Sequence, residues 1–288
     1  MINKIKQLKN KLINKSILHK LEKKFGGFRY ELNDNNEVIE LRIFEGVETK
    51  DLELIGELTS LEKLDLSYNN ITEIKGLDKL TNLQKLELDS NQITKIEGLD
   101  KLTNLQDLIF RDNKITEIKG LDKLTSLQKF DLTDNKITEI QGLEKLTKLR
   151  ELYLGCNQIT KIKGLEKLTN LQKLELHINK ITKIEGLSEL AKLQMLWLFE
   201  NQITTIQGLD NLTSLEYLSL FNNQITEIKG LDNLTNLQTL ALHENQITTI
   251  QGLDKLTSLE WLWLYTNNIP TSQIDQFKAA NKKIKVYV

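Results

Sequence analysis

The sequence predicts an α/β fold in which the chain winds into a solenoid, a stack of coils that each contribute one parallel strand. A 22-residue unit recurs without insertion or deletion, and one asparagine marks the same place in every copy. Self-similarity at such a fixed period is the sequence signature of a repeat solenoid. The marker residues are Asn69, Asn91, Asn113, Asn135, Asn157, Asn179, Asn201, Asn223, Asn245 and Asn267.

Each unit combines two apolar periods, as the copy spanning 61–82 shows. Leu64 and Leu66 alternate with polar residues, which is typical of a half-buried strand whose leucines point inward. Apolar residues then recur every three positions, at Ile71, Ile74, Leu77 and Leu80. This spacing predicts a 3₁₀ or short helical turn on the outer side. Because strands lie ~4.8 Å apart and the outer turns need more room, we expect a curved stack with its strands on the concave side.

The recurring asparagines are predicted to be structural. A carboxamide carries donors and an acceptor, so a column of asparagines can pair backbone groups that would otherwise be buried without hydrogen bonds. Stacking is also required, because one coil cannot bury its own leucines.

The unit L-x-x-L-x-L-x-x-N-x-I-x-x-I-x-G-L resembles leucine-rich repeats of the short 22-residue class. That class includes the regulatory subunit of type 1 protein phosphatase and the internalin-like bacterial surface proteins. The resemblance covers residues from about 39 to 288. Extended to the phosphatase regulator, it implies a type 1-like phosphatase catalytic subunit as partner, held by acidic and aromatic concave residues. An internalin-like role is disfavoured, because we find neither a signal peptide nor a following immunoglobulin-like domain.

Four segments are expected along the chain. They are a basic amphipathic helix over 1–27, a cap hairpin with a degenerate first repeat over 28–60, ten regular repeats over 61–269, and a C-terminal cap over 270–288. In the cap, we expect a helix over 272–281 and a strand whose Ile284 and Val286 point inward.

The N-terminal helix has two interpretations. Its apolar face is predicted to hold Ile2, Ile5, Leu8, Leu12, Ile13, Ile17, Leu18, Leu21 and Phe25, opposite a face rich in lysine. We favour a cap that docks on the open end of the stack. The alternative is a membrane- or assembly-associated structural protein that acts through this basic helix.

The hairpin predicted over 28–44 leaves its register open. Counting back 22 residues aligns Ile39 and Phe44 with Leu61 and Leu66. In this alignment Arg42 corresponds to Leu64, whose side chain is predicted to point inward.

Composition excludes several classes. The net charge is −1, so the molecule as a whole is not an electrostatic binder of nucleic acid. One cysteine, Cys156, excludes an intramolecular disulfide framework and favours a reducing compartment. No apolar run reaches the length of a membrane span. We therefore expect a cytoplasmic monomer, with membrane association disfavoured.

Catalytic and cofactor signals are weak. The histidines His19, His177 and His243 lie far apart in sequence, and Cys156 has no histidine beside it on its strand. Glu175 with His177 lacks further ligands spaced to close a metal site. We expect no enzymatic activity, no cofactor and no metal.

The copies differ mainly at the outward positions of the strands, which we call the strand face. Its first half is charged, and its second half carries eight aromatic residues, including all three tryptophans. The inward positions are already taken by leucines, so these rings should face solvent. We predict that they bind a folded protein; cover by the C-terminal cap or self-association is the alternative. The predicted partner-binding residues are Tyr153, His177, Trp197, Phe199, Tyr217, Phe221, His243, Trp261, Trp263, Tyr265 and Tyr287.

Overall fold

The computed structural model describes residues 2–288, with side chains from residue 11 onward. Residues up to Lys136 form one compact unit, and residues from Ile137 form a second. Each unit contains parallel strands stacked one coil after another, so the predicted solenoid is confirmed. The strands are three residues long in every regular coil.

The N-terminal unit begins with helix α1, Ile2–Phe25, followed by an antiparallel hairpin. The hairpin strands are β1, Arg29–Leu32, and β2, Val38–Arg42. A 3₁₀ turn, Thr49–Asp51, and a short helix α2, Leu52–Ile55, come next. The remaining strands are β3 Lys63–Asp65, β4 Lys85–Glu87, β5 Asp107–Ile109 and β6 Lys129–Asp131.

The C-terminal unit continues the same pattern. Its regular strands are β7 Glu151–Tyr153, β8 Lys173–Glu175, β9 Met195–Trp197, β10 Tyr217–Ser219, β11 Thr239–Ala241 and β12 Trp261–Trp263. Helix α3, Thr271–Ala280, and a last strand β13, Lys285–Tyr287, follow. Neighbouring strands pair in parallel with a step of 22 residues, as Leu196 does with Leu218.

The outer side of each coil is built from consecutive turns. The amide of Leu80 donates to the carbonyl of Leu77, and that of Leu83 to Leu80, both at 2.9 Å. These are the contacts of a 3₁₀ turn. Glycine is required where the turn meets the preceding coil: Gly98 has φ +77°, and a Cβ there would lie 2.3 Å from the carbonyl oxygen of Ile74.

The predicted asparagine ladder is confirmed. The Asn91 amide nitrogen donates to the carbonyls of Leu66, Leu88 and Asp89 at 3.0–3.1 Å. Its oxygen accepts from the Ile71 amide at 3.0 Å. Each such side chain therefore joins two coils by satisfying buried backbone groups of both.

A left-handed residue precedes every ladder asparagine, and the repeat pattern did not reveal it. The φ angles of these residues lie between 49° and 59°. Asn222 suits this conformation, whereas the β-branched Ile178 and Thr266 are strained in it. The ten copies hold eight different residue types there and no glycine, so composition did not reveal the conformation.

The N-terminal register differs from the 22-residue count. Leu41 pairs with Leu64, a step of 23, so Leu41 and Ile43 point inward and Phe44 is 40% exposed. The alignment of Phe44 with the inward Leu66 was therefore wrong. The hairpin and the loop after it are not constrained to repeat length, which allows one residue of offset.

Helix α1 docks through its C-terminal half. Ile17 and Leu21 are buried, and Lys24 forms an ion pair with Asp51 of the first coil. Leu12 is 70% exposed and Ile13 is also exposed, so the prediction that they lie on the docked face was wrong. The predicted apolar positions Ile2, Ile5 and Leu8 lie outside the side chains that the structure describes. None of the helices described is long and apolar enough to cross a membrane.

Candidate functional site

The aromatic residues of the strand face lie outside the leucine core. Leu196, Leu198, Leu218 and Leu220 are fully buried beneath them. The rings of Trp197 and Phe199 are partly exposed on the opposite side of the same strand, β9, and its extension. All eleven predicted partner-binding residues belong to the C-terminal unit, so their arrangement can be described within one compact body.

Five of these residues form a continuous stack, one ring per coil. The order is His177, Phe199, Phe221, His243, Tyr265. Neighbouring ring centroids are 4.3–4.6 Å apart, and the interplanar angles lie between 8° and 23°. We call these residues the ring stack. Because the rings share one column of the 22-residue repeat, strand spacing brings them to stacking distance.

The ring stack begins against a glycine. A Cβ at Gly155 would lie 2.3 Å from the His177 ring, so the ring occupies space that any other residue would fill. At the opposite end Tyr265 is 39% exposed. The stack is therefore bounded by a close backbone approach at one end and open at the other.

A second group, the tryptophan cluster, consists of Trp261, Trp263 and Tyr287. Their centroids are 5.3–6.2 Å apart, with planes within 13° of parallel. The Lys285 ammonium lies 3.8 Å from the centroid of the Trp261 ring, a cation–π contact.

The register of Tyr287 differs from the repeat count. It pairs with Trp263, a step of 24, whereas spacing of 22 aligned it with Tyr265. Helix α3 replaces the outer turn and adds two residues before the strand. Tyr287 therefore joins the tryptophan cluster instead of extending the ring stack.

The remaining predicted residues are placed differently. Trp197 packs against Tyr217 with centroids 5.3 Å apart. The two strands between Trp197 and Trp263 carry the buried Ser219 and Ala241 at the equivalent position of the repeat, so the two tryptophans are not neighbours. Tyr153 is 9% exposed and its hydroxyl donates to Glu151 at 2.7 Å, so it offers little surface to a partner.

Two polar atoms at this surface are buried and lack a hydrogen bond among the described residues: Ser219 Oγ and His243 Nδ1. Burial lowers the pKa of His243, and the nearby charge of Glu244 acts in the opposite sense. Burial between Phe221 and Tyr265 therefore favours the neutral form of the His243 ring. An aromatic column at 22-residue spacing was visible in the sequence, but mutual stacking was not.

The strand face of the N-terminal unit is charged. The Arg111 guanidinium lies 2.5 Å from a carboxylate oxygen of the fully buried Asp131. Lys85 pairs with Glu87 at 3.1 Å. Burial raises the pKa of Asp89 to about 6, although the Arg111 amide and charge oppose the rise.

No metal-binding arrangement occurs in the part of the chain that the structure describes. There, no three His, Cys, Asp or Glu side chains come close enough to hold an ion. Glu175 and His177 do approach, with 3.6 Å between the carboxylate oxygen and Nδ1. The aromatic surface offers apolar edges and rings, which suits binding.

Family comparison agrees with this architecture. The model described as leucine-rich repeats (2 copies) matches residues 59–101, 103–145, 147–189, 191–233 and 235–279, together more than half of the chain. The chain belongs to the leucine-rich repeat family. Proteins of this family act generally as scaffolds for protein–protein interaction. No curated protein sequence matches the chain.

Solved structures include similar leucine-rich repeat proteins. An internalin from Listeria monocytogenes is 26% identical with a TM-score of 0.72, and the match covers 96% of this chain and 87% of that one. A plant peptide hormone receptor, RGFR1 in complex with RGF2, is 26% identical with a TM-score of 0.62, over 75% of this chain and 38% of that chain.

A third match shows the fold alone. It belongs to an octameric complex of Latrophilin 3, Unc5D and the leucine-rich repeats of FLRT2, at 24% identity and a TM-score of 0.72, over 86% of this chain and 82% of that one. These matches give no specific support to the phosphatase regulatory subunit, so that finer resemblance stays a prediction.

Proposed function

We propose that the protein is a non-enzymatic scaffold that binds a folded protein partner through the aromatic surface of its C-terminal unit. The main observation behind this proposal is the ring stack, in which five rings lie outside the leucine core with neighbouring centroids 4.3–4.6 Å apart. Aromatic side chains dominate the binding energy of protein interfaces. The receptor complex described above supports this role, because that related fold is seen bound to RGF2.

The arrangement also favours binding through its rigidity. The three inner rings of the stack, Phe199, Phe221 and His243, are each confined by a ring on both sides. The tryptophan cluster is likewise packed in near-parallel planes. Ordering side chains on association costs about 0.5–1.5 kcal/mol for each immobilised group. A surface that is already ordered avoids much of that cost.

The central test replaces Trp197 and Trp263 with alanine in one chain. Neither change touches a core leucine, so circular dichroism and melting should stay nearly unchanged. Truncation of two hot-spot residues should weaken partner binding by at least about 100-fold. The matched control is Tyr68→Ala, which removes an exposed ring from the N-terminal unit.

The measurement has two stages. Affinity capture with quantitative mass spectrometry first identifies proteins that the unaltered chain and Tyr68→Ala retain but the double variant loses. Titration calorimetry with the purified partner then gives the change in affinity. A partner that binds the double variant as tightly as the unaltered chain would defeat the proposal.

For partner identity, the repeat resemblance suggests a type 1-like phosphatase catalytic subunit. Purified catalytic subunit can be titrated directly against the same three proteins. Binding that depends on Trp197 and Trp263 supports this partner, and absence of binding rejects it while leaving the scaffold proposal to the capture experiment.

A further inference from the structure

A groove of about 850 Å³ lies between helix α3 and the last regular coil. Its apolar lining includes Leu253, Leu256, Leu259, Trp261, Phe277 and Ile284. The volume falls within the ~300–1,000 Å³ of binding clefts that take small molecules or peptide side chains. No residue of the ring stack lines this groove, and Trp261 is the member of the tryptophan cluster that does.

The groove arises because α3 covers the end of the stack incompletely. Leu253, Leu256 and Leu259 are 4–7% exposed, whereas the equivalent Leu231, Leu234 and Leu237 of the preceding coil are fully buried. Helix α3 itself has no buried residue, although Phe277 faces the lining. An apolar floor therefore remains accessible between the two elements.

The rim of the groove is basic. Lys282, Lys283 and Lys285 line it, against the two carboxylates of Asp254 and Glu260. Within residues 11–288, where side chains are described, neither Lys282 nor Lys283 forms an ion pair. Some lysines elsewhere pair across coils, as Lys163 does with Glu139 at 3.0 Å. The unpaired ammonium groups beside an apolar floor favour a ligand that combines both complementary features.

We infer that this groove binds a peptide segment of a partner protein in which apolar side chains are flanked by aspartate or glutamate. The apolar side chains would lie on the half-buried Trp261, Phe277 and Ile284. Burial of this apolar area supplies the main driving force. The carboxylates would pair with Lys282 and Lys283, which fixes orientation and speeds association. Of the predicted partner-binding residues, Trp261 also lines the groove, whereas the ring stack lies outside it. The inference does not depend on binding at the ring stack.

The first experiment is a selection of random 12-residue peptides displayed on phage, with the full chain immobilised. The charge-reversed variant K282E with K283E serves for counter-selection. Both lysines are exposed, so this variant should keep the fold. We expect enrichment of sequences with two or more apolar residues flanked by acidic ones.

Fluorescence anisotropy with the enriched synthetic peptide then locates the site. Affinity should fall at least tenfold for the charge-reversed variant and with added salt. Ala280→Trp, placed on the exposed end of α3 in the groove lining, should block binding without lowering the melting temperature. Trp197→Ala with Phe221→Ala changes the aromatic surface at residues that do not line the groove. This variant should bind the peptide normally, which separates this inference from the proposed function.

Several results would overturn the inference. Selection that yields no acidic and apolar consensus would do so, as would peptides that bind K282E with K283E or Ala280→Trp with unchanged affinity. Sedimentation that shows a dimer lost in Ala280→Trp would assign the groove to self-association instead.

Discussion

The two compact units share one framework and differ in what their strand faces carry. In the N-terminal unit, Arg111 pairs with the buried Asp131, and Lys85 pairs with Glu87. In the C-terminal unit, the corresponding columns hold the ring stack and the tryptophan cluster. The regular coils of both units have ladder asparagines and inward leucines, except that Phe110 and Phe130 replace two leucines in the N-terminal unit.

This difference shows that the repeat separates stability from recognition. Buried leucines and ladder hydrogen bonds hold each coil, so the outward residues can vary with little effect on the fold. Exposed ion pairs contribute about 0–1 kcal/mol, and they leave a polar surface. Stacked rings bury part of their area against one another and leave a rigid apolar surface, which favours partner binding in the C-terminal unit.

The largest expected effect tests whether the framework is equivalent in the two units. Asn91→Ala and Asn223→Ala each remove a side-chain oxygen that accepts from one backbone amide. Each also removes a side-chain nitrogen that donates to three backbone carbonyls. Each should destabilise its unit by about 3 kcal/mol, because the backbone groups left behind are unpaired. Urea unfolding with amide hydrogen exchange measures both. A difference of more than about 1 kcal/mol between them would show that the frameworks are not equivalent.

The next effect concerns the buried ion pair of the N-terminal face. Arg111→Met leaves the buried Asp131 without its cation, and we expect a loss of about 2 kcal/mol in the free energy of unfolding. Lys85→Met, which breaks a more exposed pair with Glu87, is the control and should change stability by less than about 0.5 kcal/mol. Equal losses in urea unfolding would contradict the assigned role of burial.

In the N-terminal unit, Asp89 should make the free energy of unfolding smaller at high pH. Since burial raises the pKa of Asp89 from 3.8 to about 6, its ionised form costs stability above pH 6, and the cost disappears as pH falls toward 3.8. Asp89→Asn should therefore stabilise the chain at pH 7.5 by about 1 kcal/mol, since water screens the partly exposed carboxylate. Urea unfolding should show a smaller gain at pH 4.5, and an equal gain at both pH values would reject the assignment.

Backbone strain can be tested by two opposite substitutions at equivalent positions of the C-terminal unit. Ile178 and Asn222 occupy the same left-handed position, both with φ 51°. Ile178→Asn should stabilise by about 1 kcal/mol, and Asn222→Ile should destabilise by a similar amount. Thermal unfolding of both variants measures the two changes, and effects of the same sign would disprove the strain.

The smallest effect is the pH response of the ring stack, opposite in sign to that of Asp89. Because burial lowers the pKa of His243, stability is retained above its ordinary pKa of 6.5 and decreases as pH falls below it. His243→Phe keeps a ring in the stack and removes the titration. Its melting temperature should decline less than that of the unaltered chain between pH 7.5 and 5.5; parallel declines would count against the mechanism.

Regular repeats could be read accurately from the sequence, and the chain ends could not. Leu64, Leu66 and Asn91 lie where the 22-residue period places them, because every neighbouring coil imposes the same length. Phe44 and Tyr287 do not, since a hairpin and a helix replace regular turns and shift the register by one and two residues. Loop length at a cap is set by local packing, which leaves no periodic mark.

The candidate site was predicted in part. The outward direction of Trp197 and Phe199 followed from alternation with buried leucines, and the structure places both outside the core. Tyr153 obeys the same alternation yet is nearly buried beside Glu151. Alternation fixes which way a side chain leaves the strand, but neighbouring side chains decide how much of it reaches solvent.

By itself, the sequence determined the coil length, the leucine interior and the asparagine ladder, since these depend on contacts between identical positions of adjacent copies. Only the tertiary structure decided the ring stack, the strained left-handed Ile178 and the groove beneath α3. Each of those depends on side-chain conformation or on the fit of a non-repeating element. Such contacts are set in three dimensions and leave no period in the chain.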